Sequence, residues 1–195
     1  MKYYLIDASA IIHYYIPLYP KLTSNIDQII KQRQEGKSFL FMPNFCIAEV
    51  FNVFAKYYYR WRKLERDEYE KCCKEFRDAI HNAKLIYHYE LNRYHILNID
   101  YIVPFEHQFL IKKRFNKDEE EKEWFLSTFD MLFISMGIEL VRMMGFENVF
   151  LISCDTRIKS ICDVLKNLDL KTREKFQIPS YIVYPKAILL KDFHP

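Results

Sequence analysis

The stretch YYLIDASAII, residues 3–12, decides the fold. Its first four residues are apolar or aromatic and favour a short buried strand that ends at Asp7. Ser9 is predicted to be the N-cap of the helix that starts at Ala10, because serine hydroxyls accept hydrogen bonds from the first backbone amides of a helix. A strand, an acid and a helix in immediate succession are typical of a parallel α/β sheet.

Strand and helix patterns continue to alternate along the rest of the chain. Further buried strands are predicted at 39–42, 149–152 and 182–184, and 85–89 and 94–97 are predicted to pair as a hairpin. The predicted helices are 22–35, 44–63, 67–82, 105–114, 118–126, 128–144 and 156–167. This order predicts a single domain over residues 1–195. Its expected architecture is a three-layer α/β/α sandwich with a mainly parallel central sheet, and a helical or hairpin insertion at about 64–127.

Composition excludes several kinds of site. The chain has only three glycines, so no glycine-rich phosphate loop can be written from it. Its five cysteines include no C-x-x-C pair, which argues against a zinc ribbon and favours reduced thiols in a cytoplasmic protein. The formal net charge is only +3, so recognition of a polyanion would depend on a local basic patch. No apolar run reaches the length of a membrane span, and no membrane partner is expected.

Acidic side chains lie at or near the ends of the predicted strands. Asp7 directly follows the first strand, and Asp155 lies three residues beyond Ile152. Glu49 falls in the first two turns of the helix after the second strand. Because parallel strands share one carboxyl edge, these three acids are predicted to lie near one rim. Asp130 starts the helix that precedes the third strand, and this rule alone does not bring it to the rim.

Clustered carboxylates point to a divalent cation. Acids packed closely without a cation repel each other, whereas Mg²⁺ or Mn²⁺ prefers oxygen ligands and removes that repulsion. Such an ion can activate water for in-line attack on a phosphodiester. A single Asp at a strand end is also a common helix cap, so the prediction depends on the acids acting together. Glu49 and Asp130 have apolar neighbours in the sequence, where an unpaired acid would be costly to bury.

Four segments together resemble the motifs of the PIN-domain superfamily, which includes VapC-like metal-dependent ribonucleases. In the order of that family they are YLIDASAII (4–12), IAEVFNV (47–53), FDMLFISM (129–136) and VFLISCD (149–155). The chain departs from the family in the length of 64–127 and in the bulky residues that follow Asp130.

The resemblance implies an endoribonuclease that depends on Mg²⁺ or Mn²⁺ and cleaves single-stranded RNA by metal-activated water. It implies that Asp7, Glu49, Asp130 and Asp155 are the catalytic and metal-binding acids, and it is the main basis for including Asp130. Ser9 and Ser153 would be polar supports of that site. A homodimer is compatible with the sequence.

The segment KYYYRWRK, residues 56–63, combines four bases, four aromatic rings and no acid. Its bases Lys56, Arg60, Arg62 and Lys63 are predicted to contact RNA phosphates, while the rings could stack on unpaired bases. The alternative is an amphipathic helix with core rings and solvated bases. The acidic run 118–123 is interpreted as a helix start.

Other functions remain open at this point. A haloacid-dehalogenase-like phosphotransferase also starts with a strand, an Asp and a helix, but that class needs a second Asp where this chain has Ser9. A non-catalytic PIN-like RNA-binding or assembly module would need no acid cluster. Within the nuclease prediction, a toxin controlled by an antitoxin-like protein and an RNA-processing enzyme are both compatible with the sequence.

Overall fold

Five parallel strands form the sheet in the computed structural model, which describes residues 1–81, 83, 85–106 and 125–194. In chain order these strands are β1 Lys2–Ile6, β2 Ser38–Pro43, β3 Tyr87–Tyr89, β4 Val149–Ser153 and β5 Lys186–Leu189. Their order in the sheet is β3-β2-β1-β4-β5. The α/β fold class with a parallel sheet is therefore confirmed.

The pairing of β1 with β2 and of β2 with β3 determines which strand ends lie at the same edge of the sheet. β1 pairs with β2 from Lys2 opposite Ser38 to Leu5 opposite Phe41. β2 then pairs with the edge strand β3, with Phe41 opposite Tyr87. The carboxyl ends of β1 and β2 therefore lie at the same edge of the sheet, where the helices that follow each strand begin.

The helices of the described residues agree with most of the predicted ones. They are α1 Ala8–Tyr15, α2 Pro20–Gln34, α3 Asn44–Ala55, α4 Arg66–His81, α5 Arg93–Leu97, α6 Val103–Phe105, α7 Thr128–Met144, α8 Thr156–Lys166 and α9 Leu170–Lys175. A π-helical turn, Lys56–Arg60, directly continues α3, as the predicted helix 44–63 requires. Gly36, with a φ of 70°, ends α2 in a conformation that a side chain would disfavour. None of the described helices is both long and apolar enough to cross a bilayer.

The chain divides into two compact units, and the prediction of one domain over 1–195 stays a prediction. Unit 1 comprises Met1–Glu90, Ile152–Cys154 and Ile188–Pro195. Unit 2 comprises Leu91–Leu151 and Asp155–Ala187. Each unit has its own buried apolar side chains.

The core of unit 1 lies where the sheet meets its helices. Leu5, Ile6 and Leu40 of the strands are completely buried. Beside α3, the rings of Tyr15, Phe54 and Phe76 meet edge to face, with centroids between 5.4 and 5.9 Å apart. Full burial of each such side chain stabilises the fold by roughly 1.5–3 kcal/mol.

The core of unit 2 is built around α7. Every residue of this helix from Leu132 to Val141 is buried. Gly137 allows α7 to pack closely against Leu151 and Pro185. A Cβ at this position would lie 2.7 Å from Cδ2 of Leu151 and 2.9 Å from Cγ of Pro185. The buried run explains why bulky apolar residues follow Asp130 in the sequence.

Two predicted strand features are wrong. The hairpin of 85–89 with 94–97 does not form: β3 pairs with β2, and α5 occupies Arg93–Leu97. The cause is a capping box in which Asn92 Oδ1 accepts from the amides of Tyr94 and His95, at 2.9 and 3.3 Å, while the Asn92 amide donates to His95 Nδ1 at 2.9 Å.

The last strand is β5 at Lys186–Leu189 and not the predicted 182–184. The Ile182 amide donates to the Pro179 carbonyl, and the Ile182 carbonyl accepts from Arg173 at 2.6 Å, so both backbone groups are used locally. The predicted helices 105–114 and 118–126 and the acidic run 118–123 lie largely or wholly outside the described residues.

Candidate metal centre

Asp7 lies at the junction between β1 and α1. Its backbone amide donates to the carbonyl of Ile152 in β4, at 2.9 Å, which ties the end of β1 to the end of β4. Asp7 is the N-cap residue of α1, so the prediction that Ser9 caps this helix is wrong. The Asp7 carboxylate, however, makes no capping hydrogen bond to the helix amides. The hydrogen bonds of this carboxylate are instead made with two serine side chains.

Two serine hydroxyls hold the Asp7 carboxylate. Ser9 Oγ donates to Asp7 Oδ2 at 2.5 Å, and Ser153 Oγ donates to the same oxygen at 2.9 Å. The Cys154 amide donates to Ser9 Oγ at 3.0 Å, which fixes the orientation of that hydroxyl. Hydrogen bonds to an ionised acceptor are the strong ones, so these contacts set the orientation of the carboxylate.

Glu49 comes from α3 and meets Asp7 near the buried thiol of Cys46. One oxygen from each carboxylate and the Cys46 sulfur all lie within 4.8 Å of one another. Glu49 is exposed, so its carboxylate needs no partner to compensate for burial, contrary to what its apolar neighbours in the sequence suggested. Its closeness to Asp7 is now the reason to consider it a ligand.

The donor set of this cluster fits a hard divalent cation. Burial, aided by the negative charge of Asp7, raises the pKa of the Cys46 thiol well above its usual value. The thiol therefore stays protonated at neutral pH, and its Sγ donates weakly to Asp7 Oδ1 over 3.8 Å. The oxygens of Asp7 and Glu49 remain as donors, and Mg²⁺ and Mn²⁺ prefer oxygen.

Asp130 and Asp155 both lie in unit 2 and both act as helix caps. Asp130 is the third residue of α7 and forms a capping box with Ser127: the Ser127 amide donates to Asp130 Oδ2 at 2.8 Å, and the Asp130 amide donates to Ser127 Oγ at 3.2 Å. Asp155 is the N-cap of α8 and accepts from the Arg157 amide at 2.7 Å. Phe129, beside Asp130, is 59% exposed, so Asp130 does not lie in an apolar environment on that side.

Arg157 is the residue of this region that sequence reasoning missed. Its guanidinium donates to both oxygens of Asp155, at 2.5 to 3.1 Å, and lies 3.8 Å from Asp130 Oδ2. It also donates to the carbonyl of Phe125 at 2.8 Å. The only signal in the sequence is a basic residue two positions after a predicted ligand.

The six predicted site residues thus fall into two groups. The structure brings Asp7, Glu49, Ser9 and Ser153 together in unit 1. It brings Asp130 and Asp155 together around Arg157 in unit 2. That the four acids share one metal site stays a prediction.

Comparison with known proteins adds to the evidence on the fold. No protein-family model matches the chain, and no curated protein matches its sequence. Among solved structures, a match is found in the crystal structure of VapBC2 from Rickettsia felis bound to a DNA fragment from their promoter. The TM-score is 0.50 at 11% sequence identity, over 82% of this chain and 92% of the matched one. At this identity the likeness shows the fold alone, an α/β arrangement consistent with a PIN-like domain.

The basic segment Lys56–Lys63 belongs to unit 1 and directly continues the helix that carries Glu49. Arg60, Arg62 and Lys63 are exposed, and no acid among the described residues lies within ion-pair distance of them. Tyr59 and Trp61 are 61% and 46% exposed, whereas Tyr58 stacks on Tyr69. The alternative in which all four rings belong to the core therefore does not hold for Tyr59 and Trp61, although each of these rings also meets a neighbouring tyrosine edge to face.

The Asp155–Arg157 pair makes stability depend on pH. Burial opposes the ionisation of Asp155, but the hydrogen bonds and charge of Arg157 outweigh it and hold the pKa of Asp155 below its usual value. A carboxyl whose pKa is lowered by folding stabilises the fold above its unfolded pKa, about 3.9 for Asp. That contribution is lost as the pH falls through the folded pKa.

Asp155→Asn should therefore lower the free energy of unfolding at pH 7, and its difference from wild type should disappear as the pH falls through the lowered pKa of folded Asp155. Denaturant unfolding in metal-free buffer as a function of pH measures both. Asp192→Asn is the control and should track wild type, because Asp192 forms no ion pair with any residue that the structure describes. A deficit in Asp155→Asn that is the same at every pH would show that the ion pair is not its cause.

Proposed function

We propose that this chain is a Mg²⁺- or Mn²⁺-dependent endoribonuclease that cleaves single-stranded RNA. The observation that carries the proposal is the Asp7 carboxylate, which two hydroxyls orient and which shares a cluster with Glu49. This carboxylate lies at the carboxyl end of β1, within 4.8 Å of a carboxylate oxygen of Glu49 from a separate helix.

The residues of unit 1 have distinct roles in this proposal. Ser9 and Ser153 fix Oδ2 of Asp7, so its second oxygen can face a cation without the carboxylate rotating. Glu49 adds a further carboxylate oxygen from α3. When bound, the divalent cation supplies activation of a water and charge neutralisation at the scissile phosphate.

We propose further that Asp130 and Asp155 supply carboxylates to the same metal site. The support is the order and content of the four PIN-like segments, which place one acid in each. Their capping hydrogen bonds do not oppose this role, because an ionised carboxylate has about four acceptor positions and can cap a helix and bind a cation.

RNA binding is proposed for the segment Lys56–Lys63. Lys56 follows Glu49 by seven residues, or two helical turns, and so lies on the same face of the helix, about 10 Å further along its axis. Bases in this position can neutralise phosphates next to the cleaved one, and the exposed rings of Tyr59 and Trp61 can stack on unpaired nucleobases.

Asp7→Asn should abolish RNA cleavage while the protein stays folded, because the substitution removes a full charge from the cation site. Cleavage of a labelled single-stranded RNA should require Mg²⁺ or Mn²⁺ and stop with chelator. Asp169→Asn is a matched control and should cleave normally, since Asp169 caps α9 through the Thr172 amide and lies outside the Asp7–Cys46–Glu49 cluster. Metal-dependent cleavage that persists in Asp7→Asn would refute the site. RNA binding without any cleavage by wild type would favour the non-catalytic RNA-binding or assembly module.

Replacing Arg60, Arg62 and Lys63 together with Ala should weaken RNA binding and flatten its salt dependence. Each lost phosphate contact removes about 0.7 from the slope of log affinity against log salt, so the slope should fall by up to about 2. Dissociation constants from 50 to 300 mM salt, roughly the range where this effect is large, test the change. The control is the exposed triple variant of Lys71, Lys74 and Arg77 in α4, which loses the same charge. Equal slopes for the two triple variants would assign the effect to net charge and remove RNA contact from the segment.

The narrower biological role is a toxin that an antitoxin-like protein holds inactive in the cytoplasm. The matched solved structure is described as VapBC2 bound to a DNA fragment from their promoter, which motivates a paired role. Expression of the wild-type chain should then arrest bacterial growth, and Asp7→Asn at equal level should not. Normal growth with an active nuclease would favour an RNA-processing enzyme instead.

A further inference from the structure

The positive charge of Arg157 lies at the N-terminal end of α8, where the helix dipole disfavours it. Arg157 is the second residue of α8, in the first turn, where the backbone amides carry the positive end of the helix dipole. Its position therefore requires a strong attraction from elsewhere. That attraction is Asp155, which takes the guanidinium on both oxygens, and Asp130, 3.8 Å away.

The same guanidinium is held firmly in place. Its Nη1 donates to the Phe125 carbonyl at 2.8 Å, and both Asp130 and Asp155 raise the pKa of Arg157. The side chain is about one-third exposed, so the contacts are only partly screened by water. One positive charge thus lies beside two carboxylates and contacts both oxygens of Asp155.

We propose that Arg157 is a built-in counter-ion that competes with the divalent cation for Asp155 and Asp130. This inference rests on the proposed function, in which both acids are metal ligands. In the metal-free protein the guanidinium donates to both oxygens of Asp155 and lies 3.8 Å from Asp130 Oδ2. Metal binding then requires the guanidinium to turn away from Asp155, and this requirement weakens the affinity for the metal.

Arg157→Gln should bind Mn²⁺ more tightly than wild type, by about tenfold or more, because a positive charge next to the ligands is removed. Calorimetric titration of each variant with Mn²⁺ measures this without any activity assay. The rise in melting temperature on adding Mn²⁺ should also be larger in Arg157→Gln. Arg157→Lys keeps the charge and should stay near wild-type affinity, which separates charge from the loss of packing.

The matched control is Arg142→Gln in α7. Arg142 also binds one carboxylate through two nitrogens, at 2.8 and 2.9 Å from Glu139 Oε2, but neither residue belongs to the proposed site. Its affinity for Mn²⁺ should equal that of wild type. Far-UV circular dichroism confirms that the variants are folded before titration.

The outcomes distinguish this inference from the proposed function. If wild type binds Mn²⁺ and folded Arg157→Gln binds it equally or more weakly, Arg157 is no competitor and the inference is overturned, while the nuclease proposal stands. If wild type binds no Mn²⁺ and cleaves no RNA, the proposed function fails and the inference fails with it.

Discussion

The two hydrogen bonds that Asp7 Oδ2 accepts from Ser9 and Ser153 connect the candidate centre to the sheet. They can form only because β1 and β4 are neighbouring parallel strands whose carboxyl ends are level. An error of one residue in the position of β4 would turn Ser153 to the other face of the sheet and remove one of the two donors. The orientation of a single carboxylate thus depends on the packing of the whole sheet.

Each acid of the candidate site is stabilised in a different way, and the difference has consequences. The hydroxyl groups of Ser9 and Ser153 hold the Asp7 carboxylate, and neither of them carries a charge. Asp155 is neutralised by the guanidinium of Arg157, and Asp130 is engaged by Ser127. Of the three aspartates, Asp7 is therefore the one whose side chain makes no capping hydrogen bond to the helix that it precedes.

Local sequence patterns predicted the elements that local interactions determine. β1, β2 and β4 are continuous apolar runs, and α2, α4, α7 and α8 carry their own stop and start signals, so their approximate positions followed from residues alone. The predictions for Ser9, 94–97 and 182–184 were wrong for different reasons. Ser9 Oγ donates to Asp7 Oδ2 and accepts from the Cys154 amide, a contact from the far end of the chain. The other two segments make short-range hydrogen bonds, in the Asn92–His95 capping box and between Arg173 and the Ile182 carbonyl.

The sequence by itself determined the α/β class, the succession of strand, acid and helix, and the identity of the acids to examine. Those features depend on side-chain periodicity and on caps, which act over a few residues. Only the tertiary structure decided that Asp7 and Glu49 meet beside Cys46 and that Arg157 covers Asp155. These contacts depend on the spatial alignment of strand and helix ends and on the side-chain conformation of Arg157. Neither is specified by the spacing of residues along the chain.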